Sequence, residues 1–399
     1  MSSITGNGTS HIYYNITLTN NNLSTDSVPP NVTFSETRNQ PFLNCPEDYH
    51  MSVVRFSLET PTLPVLSCIP KQPPYSGSDT VNTLQYQIFL AKNYDPVTGL
   101  TSGIANANLI MIPSSNYTPV PVFPVDLTDT GNPYWNCYSF QIFVDMVNTA
   151  LSTAFDTLYG LTPPAGCIAP YLYWDIGSNT AVLNVSQNLQ LEANGALQIF
   201  FNGPLYSLFS SFPARFGPLR NVTGDFQRKL YQITINTGPD ANISSQIITV
   251  GTPPISTTVN TYNILQEYST APLWTPIDSI VFTTSMIPVN PELAAAPIVY
   301  NSNSVFTSIG TNASISNVLT DFIVPLTTGT EYKPSINYTP SGEYRLSALF
   351  GTNPVSSIQV SVYYKNRFGV LIPITLGTGC SSSIKIMFRR KDFSNIILN

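Results

Sequence analysis

The sequence predicts an all-β chain whose antiparallel sheets pack face to face as sandwiches, with one amphipathic helix near 139–159. Three observations carry this reading. Apolar and polar residues alternate with period two over much of the chain, placing one apolar face on each strand. Prolines such as Pro61, Pro64, Pro276, Pro288 and Pro354 bound those runs instead of interrupting them, where a missing N–H does no harm. A single segment changes to a spacing of three and four.

Taken in order, residues 1–45 are rich in Asn, Ser and Thr and read as an extended N-terminal arm. Tyr13, Ile16 and Leu18 are the apolar positions with which such an arm would pair with a neighbouring copy. Strands follow at Val54, Phe56 and Leu58, and at Leu84, Tyr86, Ile88 and Leu90. From Ser139 to Tyr159 the apolar positions Phe140, Phe143, Val144, Val147, Leu151, Ala154, Phe155 and Leu158 form one helical stripe. Ser139 is placed to cap its start and Gly160 to end it. The helix is expected to cover the end or flank of a sheet.

A fresh strand begins with Tyr231, Ile233 and Ile235, and the turn-rich stretch 216–229 before it reads as a boundary. The expected division is therefore an arm 1–45, a first β-sandwich 46–220 and a second β-sandwich 221–399. Each half has about the size of one eight-stranded jelly roll. Residues 291–316 read as a long exposed loop. Strands return at Ile358, Val360, Val362 and Tyr364, and at Ile384, Ile386 and Phe388, with a hairpin turn at 365–369.

Charged residues make up only 10% of the 399 residues, against 42% hydrophobic. A surface of hydroxyls and amides offers little like-charge repulsion between copies, which suits a protein that works as an assembly. The net charge of −6 argues against nucleic acid as the main partner. Lys385, Arg389, Arg390 and Lys391 form a small basic group near the C-terminus. Solvated strand-end charge is the preferred reading; weak contact with DNA or an inner membrane is the other. The start of the chain lacks the basic and apolar segments of a signal peptide. The five cysteines Cys45, Cys68, Cys137, Cys167 and Cys380 are widely spaced and read as buried free thiols.

No catalytic, cofactor-binding or metal-binding residues are assigned. The two histidines, His11 and His50, form no H-E-x-x-H pair. Cys45 and His50 are near in sequence, but nothing around Cys45 would activate a thiolate. The run Leu376-Gly377-Thr378-Gly379-Cys380 lacks the Gly-Lys-Ser/Thr ending of a phosphate loop and reads as a β-turn. Trp135, Trp174 and Trp274 read as core or interface anchors in preference to a sugar site.

Val54-Arg55-Phe56 stands before Thr60-Pro61-Thr62-Leu63-Pro64, Met146-Val147-Asn148-Thr149-Ala150-Leu151 lies on the helix, and Trp274-Thr275-Pro276-Ile277-Asp278-Ser279-Ile280-Val281-Phe282 precedes Ile287-Pro288-Val289. Tyr332-Lys333-Pro334, Gly342-Glu343-Tyr344-Arg345-Leu346, the strand 358–365 with Gly369, and the ending 384–391 complete a pattern over about 50–391. Together these segments resemble capsid proteins of small eukaryotic DNA viruses of the Polinton-like and virophage kind. The resemblance implies viral jelly-roll shells, no cofactor, no catalytic residue and a place in the virion, reached from the host cytoplasm or nucleus without secretion.

Two capsid roles then stand open. Major capsid proteins of that group resemble two jelly rolls in tandem and assemble as trimeric capsomers of an icosahedral capsid. Penton proteins resemble one jelly roll with a large β-rich insertion, in a pentameric ring. The two β-rich halves favour the first. Partners in either case are further copies of the chain and other capsid proteins. A glycan- or receptor-binding β-sandwich is the rival from another class, and a glycosidase on such a sandwich the third.

Overall fold

A computed structural model describes residues 11–22, 28–59, 61–113, 121–125, 132–160, 163–235, 243–250, 257–294, 298–301, 304–308, 314–323, 335–340, 346–367 and 369–391. Among the described residues the elements are mostly β-strands, with one long helix.

Eight strands build one sandwich: His11–Thr19, Thr33–Thr37, Tyr49–Glu59, Ile277–Thr283, Val318–Phe322, Ser335–Tyr338, Ser357–Asn366 and Ser381–Arg390. Counted in that chain order, the first sheet runs first, eighth, third, sixth, and the second runs second, seventh, fourth, fifth. This is the order of a jelly roll, in which two Greek keys fold over one another. Short strands at Ser347–Ala348 and Leu371–Pro373 extend the third and seventh strands. Their inward faces share one core. It takes Phe56 and Leu58, Phe34, Ile280 and Phe282, Ile358, Val360 and Val362, and Ile384, Ile386 and Phe388.

The expected N-terminal arm is part of this sandwich. His11–Thr19 pairs antiparallel along its whole length with Ser381–Arg390, and Thr33–Thr37 pairs with Ser357–Asn366. Tyr14, Val32 and Phe34 are buried. The polar composition hid an alternation in which Ile12, Tyr14, Ile16 and Leu18 face one core. Residues 1–10 lie outside the described residues.

Between the third and fourth strands the chain makes an insertion, 60–276, with a core of its own. One sheet contains Thr83–Lys92, Gly103–Ile110, Gln198–Phe201, Ala214–Asn221 and Gln227–Ile233; the other contains Tyr171–Asp175, Thr180–Ser186, Ile243–Val250 and Thr257–Leu265. These strands pair largely as consecutive hairpins and do not repeat the jelly-roll order. Among the described residues the jelly-roll strand order is found once, in the sandwich of 11–59 and 277–391. The expected break at 220/221 falls at the tip of a hairpin, with Arg220 opposite Gln227 and Gly224 at φ +80°. A turn rich in Asn, Thr and Gly serves a hairpin as readily as a linker, and sequence alone does not separate them.

The helix Phe140–Tyr159 sits where expected. Ser139 accepts from the Gln141 N–H at 3.2 Å, and Gly160 ends the helix at φ +70°. Its role is larger than covering a flank. Phe143, Val147, Leu151 and Phe155 pack in one core with Tyr86, Ile88 and Leu90 of one sheet and with Leu183, Val185 and Ile264 of the other. The opposite face of Thr83–Lys92 is not solvated either. Phe89 and Ala91 are buried there with Phe200, Leu219 and Leu230.

The segment 291–316, expected as a loop, contains backbone ladders. Glu292–Ala294 pairs with Ser314–Ser316, and Ile298–Asn301 pairs with Ser304–Ser308. Tyr332-Lys333-Pro334 and Gly342-Glu343-Tyr344-Arg345, quoted for the resemblance, lie outside the described residues.

Candidate assembly surfaces

Residues weighed for chemistry take structural places. His50 stands on the third strand opposite Arg389, and its Nδ1 is buried with no hydrogen-bond partner. Burial first, then the charges of Lys391 and Arg389, push its imidazole below the usual histidine range. Cys45 is exposed, ahead of the turn Pro46–Asp48, so one of the five thiols expected to be buried is open to solvent. Cys380 is half-buried, while Cys68, Cys137 and Cys167 are buried. Cys68 and Cys137 hold their sulfurs 3.6 Å apart. Burial, then the contact with Cys137, pushes the Cys68 thiol up, away from the thiolate a nucleophile needs.

The run 376–380 is a turn between strands. Gly379 takes φ +77° and donates to the Asn20 carbonyl at 2.7 Å, while Asn20 Nδ2 donates to the Leu376 carbonyl at 2.7 Å. The N–H groups of Leu376, Gly379 and Cys380 all donate to carbonyls of the fold. Trp135 and Trp274 are fully buried. Trp274 donates from Nε1 to the Leu208 carbonyl at 2.6 Å and packs against Phe143, Phe209 and Trp174. Phe140 stacks on Trp174 at 4.4 Å. Such rings are core, as their apolar surroundings predict.

An open groove of about 460 Å³ on the insertion is lined by 101–106, Thr157, 221–223 and Phe226, and no side chain there can act as acid, base or nucleophile beyond hydroxyls and amides. Among the described residues no group of three or more His, Cys, Asp or Glu comes together. Among them, too, no helix is long and apolar enough to cross a membrane.

The surface instead offers neutral edges. Ile243–Val250 is the end strand of its sheet. Its residues 244–247, 249 and 250 are exposed, with Ile247 at 69%. The sequence 241–266 holds no charged residue. An uncharged edge with open backbone groups is a template for another strand. Its register within the sheet is fixed by an amide ladder: Asn184 Nδ2 donates to Asn263 Oδ1 at 2.6 Å, and Asn263 Nδ2 donates to Gln246 Oε1 at 2.8 Å. Period-two reading did not find this hairpin, because its alternation is between Ser, Thr, Asn and aliphatics on both faces.

The C-terminal basic group does not act as one patch. Lys385 and Arg389 lie on the outward side of the eighth strand, since Ile384, Ile386 and Phe388 take the inward side. Arg390 approaches Asp48 at 4.0 Å, and Lys391 Nζ donates to the Leu349 carbonyl at 3.0 Å.

Comparison with known proteins agrees with this geometry. A family model described as Sputnik minor capsid protein V18/19 matches residues 12–390. Over 144 residues the chain is 31% identical to protein V18 of Sputnik virophage, which is 34% of this chain and 75% of that protein. Over 134 residues it is 28% identical to structural protein V19 of the same virophage, 34% of this chain and 58% of that protein. Among solved structures, a chain of the Sputnik virophage particle superposes with a TM-score of 0.72 at 23% identity, over 96% of this chain and 99% of that one. The mavirus penton protein superposes with a TM-score of 0.60 at 17% identity, over 95% and 99%. The two superpositions show a shared fold.

Proposed function

From the premise that the chain belongs to the Sputnik minor capsid protein V18/19 family, and so is a non-enzymatic structural component of a virophage-type capsid, we propose that it forms the five-fold vertex, the penton, of the shell. The observation that carries this reading is the topology: one jelly roll per chain, with a large β-rich insertion between its third and fourth strands. The trimeric major-capsid role draws on two jelly rolls per chain, and the strand order of the insertion does not support a second. The fold shared with the mavirus penton protein over nearly the whole chain supports the same choice.

Two functional units follow from the two cores. The jelly roll, 11–59 and 277–391, forms the wall of the ring, and the insertion, 60–276, is a second unit with a core of its own. A ring of identical chains is a head-to-tail assembly in which each copy presents two different surfaces. Low surface charge limits repulsion between them, and the uncharged edge Ile243–Val250 supplies unpaired backbone groups for contact. Other capsid proteins of the shell would meet the outside of the ring.

Class averages of the purified protein by negative-stain electron microscopy test the reading. Rings with five-fold symmetry are expected; particles with three-fold symmetry contradict it.

A further inference from the structure

The outward face of the first sheet gathers cations that the sequence scatters. Lys385 stands directly opposite Asn15 on one neighbouring strand and Arg55 on the other. Two steps along the same side of the strand, past the buried Met387, Arg389 stands opposite His11 and His50. Like charges placed directly opposite one another weaken an antiparallel ladder, so the Lys385–Arg55 pair costs stability in the isolated chain. Among the described residues both cations are held in place by neutral partners. Arg55, exposed, donates from Nη2 to Asn15 Oδ1 at 3.1 Å, and the Lys385 ammonium lies 4.7 Å from the centre of the Tyr13 ring. The acid on this face, Glu59, lies at its far end and accepts from the Ser381 N–H. This concentration arises in a chain of net charge −6 with only 16 Lys and Arg.

We propose that this face, centred on Lys385 and Arg55, binds the phosphate backbone of duplex nucleic acid. Contact with phosphates needs placed cations and donors but no apolar insertion. Asn15, Thr17, Ser57 and Ser383 surround the pair with amides and hydroxyls, and Tyr13 is the one large apolar side chain of the face that is exposed among the described residues. A lipid surface would call for more apolar area. The inference stands on the geometry of the face; the capsid reading supplies only the abundance of the ligand.

The test is fluorescence anisotropy of a 20-base-pair duplex with the full chain between 50 and 200 mM NaCl, with light scattering on the same samples. Two phosphate contacts give a log–log salt slope of about −2, roughly a tenfold loss of affinity over that range. The double variant R55Q/K385Q is expected to lose most of that slope at an unchanged or higher thermal midpoint, whereas R228Q/K229Q, on the insertion, leaves it intact. No binding at 50 mM NaCl, or equal binding by R55Q/K385Q, overturns the proposal. So does capture by phosphatidylserine vesicles without duplex binding, which would make this a membrane face. A changed copy number in R55Q/K385Q without any duplex effect also overturns it and makes the face a contact between copies. A protein that binds duplex as a monomer keeps this inference and fails the penton reading instead.

Discussion

Arg367 reaches from the end of the seventh jelly-roll strand to Ser67 in the insertion, donating from Nη2 to its carbonyl at 3.3 Å, while its own N–H donates to the Pro276 carbonyl at 3.2 Å. Pro276 is where the chain returns from insertion to jelly roll, so one residue ties both units at their junction. The small cleft around it is lined by Ser67, Asn136, Tyr364 and Ile372. R367A is expected to lower stability by about 1–3 kcal/mol, the range for a hydrogen bond to a charged group. Calorimetry should show a broadened or split transition as the two cores uncouple. R367K should recover only part, because an ammonium lacks the planar fork. A single sharp transition at the native midpoint in R367A would show that the junction does not couple the cores.

The amide ladder Asn184–Asn263–Gln246 predicts a non-additive pair. N263L leaves one of the two N–H groups of the buried Asn184 amide without its acceptor, while Thr261 Oγ1 keeps the other at 3.0 Å, and should cost about 1–3 kcal/mol by urea unfolding. N184L/N263L removes both partners and should cost less than the sum of the single changes. Additive losses would mean that the two amides act independently.

Asp79 predicts an acid limb of stability. Its side chain is nearly sealed from solvent and pairs with Lys71, and it accepts from the Ser76 N–H at 3.0 Å. Burial alone would raise its carboxyl pKa, but Lys71 and Ser76 outweigh it and hold the group below its ordinary value of 3.8. A carboxyl depressed in the folded state contributes stability that is present above its unfolded pKa and lost as pH falls through the folded value. The midpoint difference between the native chain and D79N should thus be full near pH 6 and shrink below about pH 4. A difference that does not change with pH would contradict this.

Trp274 and Trp174 share one aromatic cluster yet should differ in weight. Trp274 is fully buried and holds the Leu208 carbonyl, whereas Trp174 is half-buried and donates to Asn179 Oδ1 at 3.1 Å. W274A should cost about 3–5 kcal/mol, as for large aromatic deletions in a core. W174A should cost distinctly less. Equal losses would argue that the core is not centred on Trp274.

The elements were more legible than their partners. Val54–Leu58, Ile358–Tyr364 and Ile384–Phe388 could be read because one side of each meets a core, and period two records that directly. The helix was legible to the residue, through Ser139, Gly160 and its stripe. What period two cannot carry is pairing over distance: Ser57 meets Ser383 across 326 positions, at 2.7 Å between hydroxyls. Without that closure the halves looked like tandem sandwiches, and the hairpin at Gly224 looked like a linker. The outward cations were hidden for the same reason, since Arg55 and Lys385 become neighbours only when the third and eighth strands pair. The capsid class was legible from low charge and the resemblance; the proposed vertex role rests on the strand order, which period two does not give.

The measurement that bears most directly on the central claim is the mass of the purified protein by light scattering after size exclusion. The account predicts a species of about five times 43.7 kDa. A species of three chains, or a monomer that persists at high concentration, would contradict it.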